Sequence, residues 1–338
     1  MRASVEWMER HQVLLYIGGL VLGGVVGLLL PVVAHPAEMA IHPVLALLLY
    51  ATFLGIPFTK VGHAFSDWRF LSTILVANFV LVPAIVWALS RIVAHDQVLL
   101  VGVLFVLLTP CIDYVIVFAG LAGGDEKRLL AAAPLLMLAQ MLLLPLYLWL
   151  FIGAEFVGSV EFAPFIEAFV LIIVVPLAAA ALTQLAAART RAGQAWEQIA
   201  MGAMVPLMVA TLAVVVASQI AGVGAQLGSL LLVLPVYVIF PAVMVPVGVI
   251  ASRVGGLDVA EGRAVVFSGA TRNSLVVLPL VLALPAAFDL APLVVVTQTL
   301  IELIVMVIFV RLIPKLIRGS SLPAAQQSAR ETHNDHSP

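Results

Sequence analysis

The sequence predicts an all-α polytopic membrane protein, with ten transmembrane helices in two inverted five-helix repeats and with the fourth and ninth helices discontinuous. Three observations lead there. Of the 338 residues, 63% are hydrophobic and only 10% charged, whereas a soluble domain carries about 25% charged residues. Ten apolar segments are long enough to cross a bilayer, which takes roughly 20 residues each. The lysines and arginines fall almost wholly on alternate loops, as cytoplasmic loops require. The alternating short strands of a membrane barrel are absent, so helices are the remaining way to satisfy the backbone in lipid.

In order, the segments run about 12–34, 42–58, 71–90, 98–120, 129–153, 162–188, 196–220, 226–251, 260–285 and 291–313. The first follows MRASVEWMERHQ and has no small-residue cleavage site, so it reads as a retained span and not a signal peptide. Arg2 and Arg10 precede it. Lys60 and Arg69 fall in the second loop, Lys127 and Arg128 in the fourth, Arg189 and Arg191 in the sixth, and Arg253 and Arg263 in the eighth. Arg311, Lys315, Arg318 and Arg330 lie at the C-terminal end. Fourteen of the sixteen basic residues thus share one side; Arg91 stands alone on the other, and Arg272 lies inside a span. Both termini are expected in the cytoplasm, with the chain crossing the cell's inner (plasma) membrane many times.

Five spans per half means that the first starts inside and the sixth outside, so homologous halves would be inverted repeats, at about 12–153 and 162–313. The fourth and ninth spans correspond, and both are interrupted by polar clusters, TPCID at 109–113 and SGATRNS at 268–274. Paired broken helices in inverted repeats are a carrier signature, with substrate held at the midplane where the breaks meet. Residues 1–318 are read as one transmembrane transporter domain. The polar segment 319–338 is read as a disordered cytoplasmic tail, and its His333 and His336 as solvated.

Several function classes are excluded. No GxxxxGK[ST] is present, so the sequence requires no ATPase subunit, and no HExxH is present either. His11, His35, His42, His63 and His95 lie outside the spans or at their ends. No Ser/His/Asp set shares a depth, so the chain is read as no enzyme. With a net charge of −2 and no basic arm, nucleic acid is not an expected partner. One cysteine leaves no intrachain disulfide to report on compartment. No cofactor is implied; the lipid bilayer is.

Depth identifies the candidate site. Cys111 and Asp113 sit beside the midpoint of the fourth span, Gln140 at that of the fifth, Arg272 and Asn273 at that of the ninth, and Glu302 at that of the tenth. Gln298 lies one turn before Glu302. An ionisable group at the bilayer centre costs about 2.5–3.5 kcal/mol, so three left unpaired would cost on the order of 8–10 kcal/mol. They are expected to face a polar cavity and to pair. Plainer readings stand beside this one. A lone cysteine is often just a small buried residue, Arg272 serves equally as a structural counter-ion for Asp113 or Glu302, and Gln140 and Gln298 suit hydrogen bonds between helices. Gly19, Gly23 and Gly27 form a small-residue face for close helix packing, and Pro145, Pro176 and Pro235 are read as kinks.

A thiolate is a soft ligand that suits copper(I) or trivalent arsenic and antimony. Copper sites add methionine or further cysteine, and the ten methionines do not cluster at the breaks. Arsenous acid is small and neutral, and one sulfur holds it reversibly, as a carrier needs. Glu302 or Asp113 would carry a proton the other way.

Three segments carry a resemblance: TPCIDYVIVFAGLAGGDEK, SGATRNSLVVLPL and TQTLIELIVMVIFVRLI. In their order and spacing they are similar to segments of the arsenite permeases of the bile acid/arsenite/riboflavin transporter superfamily, over roughly 10–317. The resemblance implies ten helices in a core domain, with the fourth and ninth crossed, and a moving panel domain. It implies efflux of arsenite, with antimonite as a second metalloid substrate, coupled to proton motive force. The family's essential cysteine falls on Cys111 and its essential glutamate on Glu302. Substrate contacts are then expected at Cys111 (as the arsenic ligand), Glu302, Asp113, Arg272 and Asn273, proton coupling at Glu302 and Asp113, and secondary polar contacts at Gln140 and Gln298. The alternative is a sodium- or proton-coupled organic-anion carrier resembling bile acid symporters. Those hold sodium with an acidic ninth-span residue, where this chain has Arg272 and no Asp or Glu in 262–288.

Overall fold

The computed structural model describes residues 5, 7, 8, 11–55, 67–112, 114–153 and 170–318. Asp113, the start of the sixth segment and the tail at 319–338 lie outside the described residues. Among the described residues the chain is helical and contains no strand; the one β-type pairing is an isolated bridge between Pro110 and Arg272.

The helices are α1 (Gln12–Leu29), α2 (Ala34–Leu54), α3 (Trp68–Val76), α4 (Val82–Ser90), α5 (Gln97–Leu107), α6 (Tyr114–Leu121), α7 (Glu126–Ile152), α8 (Val175–Ala187), α9 (Arg191–Gly202), α10 (Met204–Val254), α11 (Val259–Ala270), α12 (Ser274–Leu282) and α13 (Ala291–Leu316). Four acidic loop residues cap the helix that follows them. Asp67, Asp96 and Asp125 accept backbone N–H bonds at the starts of α3, α5 and α7, and Asp258 forms a capping box with Glu261 at α11. A five-residue π turn, Ala77–Leu81, joins α3 to α4 just ahead of Pro83, and a second, Val170–Val174, precedes Pro176. Proline cannot donate its N–H, and a π turn accommodates the missing bond.

Four helical stretches are long and apolar enough to cross a membrane: Trp68–Ser90, Glu126–Ile152, Gly228–Val254 and Ala286–Leu316. Two bent pairs raise this to six, Leu14–Leu29 with Pro31–Ile41 (111°) and Arg191–Gly202 with Met204–Ser218 (41°). This is a multi-pass all-α membrane protein. The expected fourth and ninth spans are each divided, into α5 with α6 and α11 with α12. Their halves hold 11, 8, 12 and 9 residues, too few to cross alone at about 1.5 Å per residue.

One expected boundary is absent. The seventh and eighth segments form a single helical run, α10, of 51 residues. At about 1.5 Å per residue it extends about 76 Å, more than twice the roughly 30 Å of hydrocarbon. The residues read as a turn, AGVGA at 221–225, contain no proline and no charge. Glycine weakens a helix by only about 1 kcal/mol and does not end it. The first expected span also ends early, at Leu29, because Pro31 starts a new turn there.

The glycine face of α1 packs as expected. A Cβ on Gly19 would lie 2.9 Å from the Val209 carbonyl, and one on Gly23 would lie 2.9 Å from the Ala213 Cα. One on Gly27 would meet Ala217 as closely. The partner residues also recur every fourth position, so two small-residue ridges lie against each other.

The loops separate to two ends. At one, Arg128 of α7 pairs with Asp67 (2.7 Å), Asp125 (3.4 Å) and Glu261. Beside it Arg263 donates to the carbonyls of Ala122 (3.0 Å) and Ile317 (2.9 Å), closing the last turns of α6 and α13. The second, fourth and eighth loops and the end of the last helix therefore meet, as the charge pattern requires. At the other end, a cavity of about 520 Å³ brings together Glu38, Ser218, Gln226, Phe288 and Asp289.

Candidate functional site

Pro110 ends α5 by withholding an N–H and by driving Thr109 out of helical geometry. The Thr109 hydroxyl donates to the Phe105 carbonyl at 2.8 Å. The second break has no proline within it; Thr271 turns to extended geometry (φ −112°, ψ 145°), its hydroxyl bonded to the Phe267 carbonyl at 2.8 Å. The two extended pieces then satisfy each other. The Asn273 N–H donates to the Thr109 carbonyl (2.9 Å) and the Cys111 N–H to the Thr271 carbonyl (3.4 Å). Backbone exposed by breaking one helix is thus covered by backbone exposed by breaking the other, which hydrocarbon could not do. The two broken helices cross at these residues.

The crossing gathers five of the expected residues. Cys111, Arg272 and Asn273 are fully buried, and Gln298 and Glu302 are nearly so. The Glu302 carboxylate accepts the backbone N–H of Arg272 at 2.7 Å, and the same oxygen accepts from the Gln298 amide. Asn273 spends its carbonyl oxygen on the Val276 N–H (3.1 Å), capping α12, while its amide nitrogen has no hydrogen-bond partner among the described residues. The Gln298 carbonyl oxygen is likewise without one. Thr299 donates to Ser274 at 2.7 Å, tying α13 to the start of α12.

Arg272 is the largest fully buried side chain. Its Nη2 donates to Asn78 Oδ1 (2.8 Å) and to the Ser268 and Gly269 carbonyls (2.7 Å each), and Nη1 lies 3.4 Å from the Leu107 carbonyl. The guanidinium carbon sits 5.4 Å from the centre of the Phe240 ring, adding a cation–π contact. The partner expected for it, Asp113, lies outside the described residues. Gln140 is buried on α7, and its carbonyl oxygen has no partner among the described residues. Among the described residues no hydrogen bond connects it to the crossing.

Asn78 is the residue the depth argument missed. It lies in the π turn, donates to Ser268 Oγ (2.9 Å) and the Ile74 carbonyl (3.0 Å), and so aims its oxygen at Arg272. It stands near the midpoint of the third span, in NFVLVP, and the same depth criterion identifies it.

The arrangement sorts helix ends by sign. The C-terminal carbonyls of α5 and α11 converge on the guanidinium, while the N-termini of α6 and α12 begin on the far side of the breaks. Helix C-termini favour cations and N-termini favour anions or polar solutes. The side chains of the crossing are packed against their neighbours, and Cys111, Arg272, Asn273, Gln298 and Glu302 do not line the cavity at the far end, although the sequence predicts a polar cavity among them.

The model of the sodium bile acid symporter family matches residues 42–229, more than half of the chain. The chain belongs to the sodium bile acid symporter family. The match includes the first break and Asn78 but ends before Arg272 and Glu302. No curated protein matches the chain. The match and the apolar helices together describe a multi-pass membrane protein of a transporter family.

Proposed function

We propose that this chain is a secondary carrier that exports trivalent arsenic, as arsenite or antimonite, from the cytoplasm in exchange for protons. The observation that carries the reading is the Thr271–Arg272 pair. The carbonyl of one holds the backbone of Cys111, and the N–H of the other holds the carboxylate of Glu302. A soft ligand and a proton-carrying group are thereby fixed to adjacent residues of one helix break. Asn273, whose amide nitrogen has no partner among the described residues, supplies a donor for a hydroxyl of the substrate. The coupling works by competition: protonated Glu302 and bound metalloid alternate at the crossing, so one cannot leave without the other arriving.

The reading extends to the whole chain. On this reading the two halves, about 12–153 and 162–313, act as inverted repeats. Both termini face the cytoplasm of the inner (plasma) membrane, and no ATPase subunit takes part. Positive charge gathered at the Arg128 end supports this orientation. The cavity beside Glu38 and Asp289 is then the outward mouth. It lies at the far end of α12, about 13 Å from the crossing at 1.5 Å per residue. Among the described residues no Lys, Arg or His lines it. That favours a neutral substrate over an organic anion, which two carboxylates would repel.

The test is arsenite survival of an arsenite-sensitive bacterium expressing the chain. Wild type is expected to protect and Cys111→Ser to lose protection; equal survival of both would remove the ligand role. In everted vesicles, Glu302→Gln is expected to abolish uptake driven by an imposed pH gradient, and unchanged gradient dependence would remove the proton role. If wild type neither protects nor lowers cellular arsenic, a carrier of organic anions becomes the standing reading.

A further inference from the structure

The oxygens around Arg272 are arranged as for a metal cation. Ser268 and Gly269 contribute the last-turn carbonyls of α11, Leu107 contributes the last carbonyl of α5, and Asn78 adds a side-chain oxygen from the π turn. Two helix C-termini, each with about half a negative charge, converge on one point. Unwound backbone carbonyls and half-helix C-terminal ends are what carriers use to coordinate a driving sodium ion. Here a guanidinium occupies that point. It is covalently attached, fully buried and covered by the Phe240 ring.

We infer that Arg272 is a tethered cation: its guanidinium fills the position of a coupling sodium ion, and this carrier binds and runs without sodium although its family is named for it. The inference rests on reading the chain as a secondary carrier. It has a consequence for coupling. A cation that never leaves cannot transmit an ion gradient, so the driving ion must act elsewhere, and Glu302, bonded to the Arg272 backbone, is the titratable group at hand. Asn78, in the π turn, is held by its amide bonds to the Ile74 carbonyl and Ser268 Oγ, which leave its oxygen on the guanidinium.

The experiment is a cation titration of the purified, detergent-solubilised full chain, read as thermal unfolding, with choline as the inert comparison. Wild type is expected to unfold at the same temperature in sodium, potassium and choline. Arg272→Ser vacates the site. It is expected to unfold at lower temperature in choline, and to recover by about 2–4 °C, saturably, with sodium or with guanidinium at non-denaturing concentration. Arg272→Lys keeps a tethered charge and is expected to stay indifferent to sodium. Saturable stabilisation of wild type by sodium would overturn the inference, as would a monodisperse Arg272→Ser that ignores both added cations. Should the serine variant not fold in any salt, the lysine variant decides: sodium indifference supports the tether and sodium stabilisation overturns it. None of these readings uses transport. An absence of arsenite export would therefore refute the proposed substrate while leaving the cation assignment intact.

Discussion

Two arginines, Arg128 and Arg272, show how differently one side chain can be used at two depths. Arg128 stands at the loop end, 40% exposed, among the carboxylates of Asp67, Asp125 and Glu261. Arg272 is fully buried at the crossing, where its guanidinium donates to oxygens of Asn78, Leu107, Ser268 and Gly269. Water and salt screen the first cluster, so its formal charges overstate what it contributes. Nothing screens the second. There each dipole counts for more, and each missing partner costs more. The loop end orders a surface; the crossing decides whether two broken helices can exist in lipid at all.

The sharpest way to separate the two is to remove each cation in turn. Arg272→Leu, in choline buffer, leaves four oxygens without their donor and is expected to destabilise by about 3–5 kcal/mol. Thermal unfolding of the purified protein measures it. A loss as small as that of a surface change would mean that the oxygens find other donors, and that depth does not distinguish the two arginines.

Asn78→Ala probes the same cluster from its outer edge. Arg272 would keep its carbonyl acceptors but lose the 2.8 Å bond to Oδ1, and Ser268 Oγ would lose its donor. The expected loss is about 1.5–3 kcal/mol, the value for a hydrogen bond to a charged group. Asn78→Asp, compared by the same measurement, sharpens the point. If the guanidinium wants a neutral cage balanced by helix ends, a second carboxylate near Glu302 will not improve on asparagine.

How much of this was legible in the sequence follows from what each feature depends on. Hydropathy and basic-residue placement depend on the lipid, which acts on every residue alike, so class, breaks and the shared end of the second, fourth and eighth loops could all be read. Cys111, Arg272, Asn273, Gln298 and Glu302 could be read because polar groups at the midplane are expensive wherever they fall. Their wiring could not. That Glu302 takes the backbone N–H of Arg272, and not simply its charge, depends on the exact path of the Thr271 break. Asn78 was overlooked because a single amide in an apolar run looks like an ordinary interhelical contact, and its bonds to Ser268 and Arg272 depend on the tertiary packing. The turn expected at 221–225 rested on two weak signals, glycine and span length. Neither forbids a helix, and α10 continues through it.

At the loop end the expected effect is the smallest. Arg128→Gln removes three ion pairs, yet Asp67 and Asp125 still cap α3 and α7, and Glu261 still closes its box with Asp258. Those caps are made by backbone N–H groups and need no arginine. Arg128, Asp67 and Asp125 are partly exposed and recover most of their hydration when a partner is lost, and the buried Glu261 keeps the Asp258 N–H, so the change is expected to cost about 0–1 kcal/mol. It should shrink further as salt is raised past the point where the screening length falls below about 8 Å. Unfolding measured at low and high ionic strength checks both statements. A large, salt-insensitive loss would show that Arg128 is desolvated in the membrane-embedded protein, and the two arginines would then belong to the same class after all.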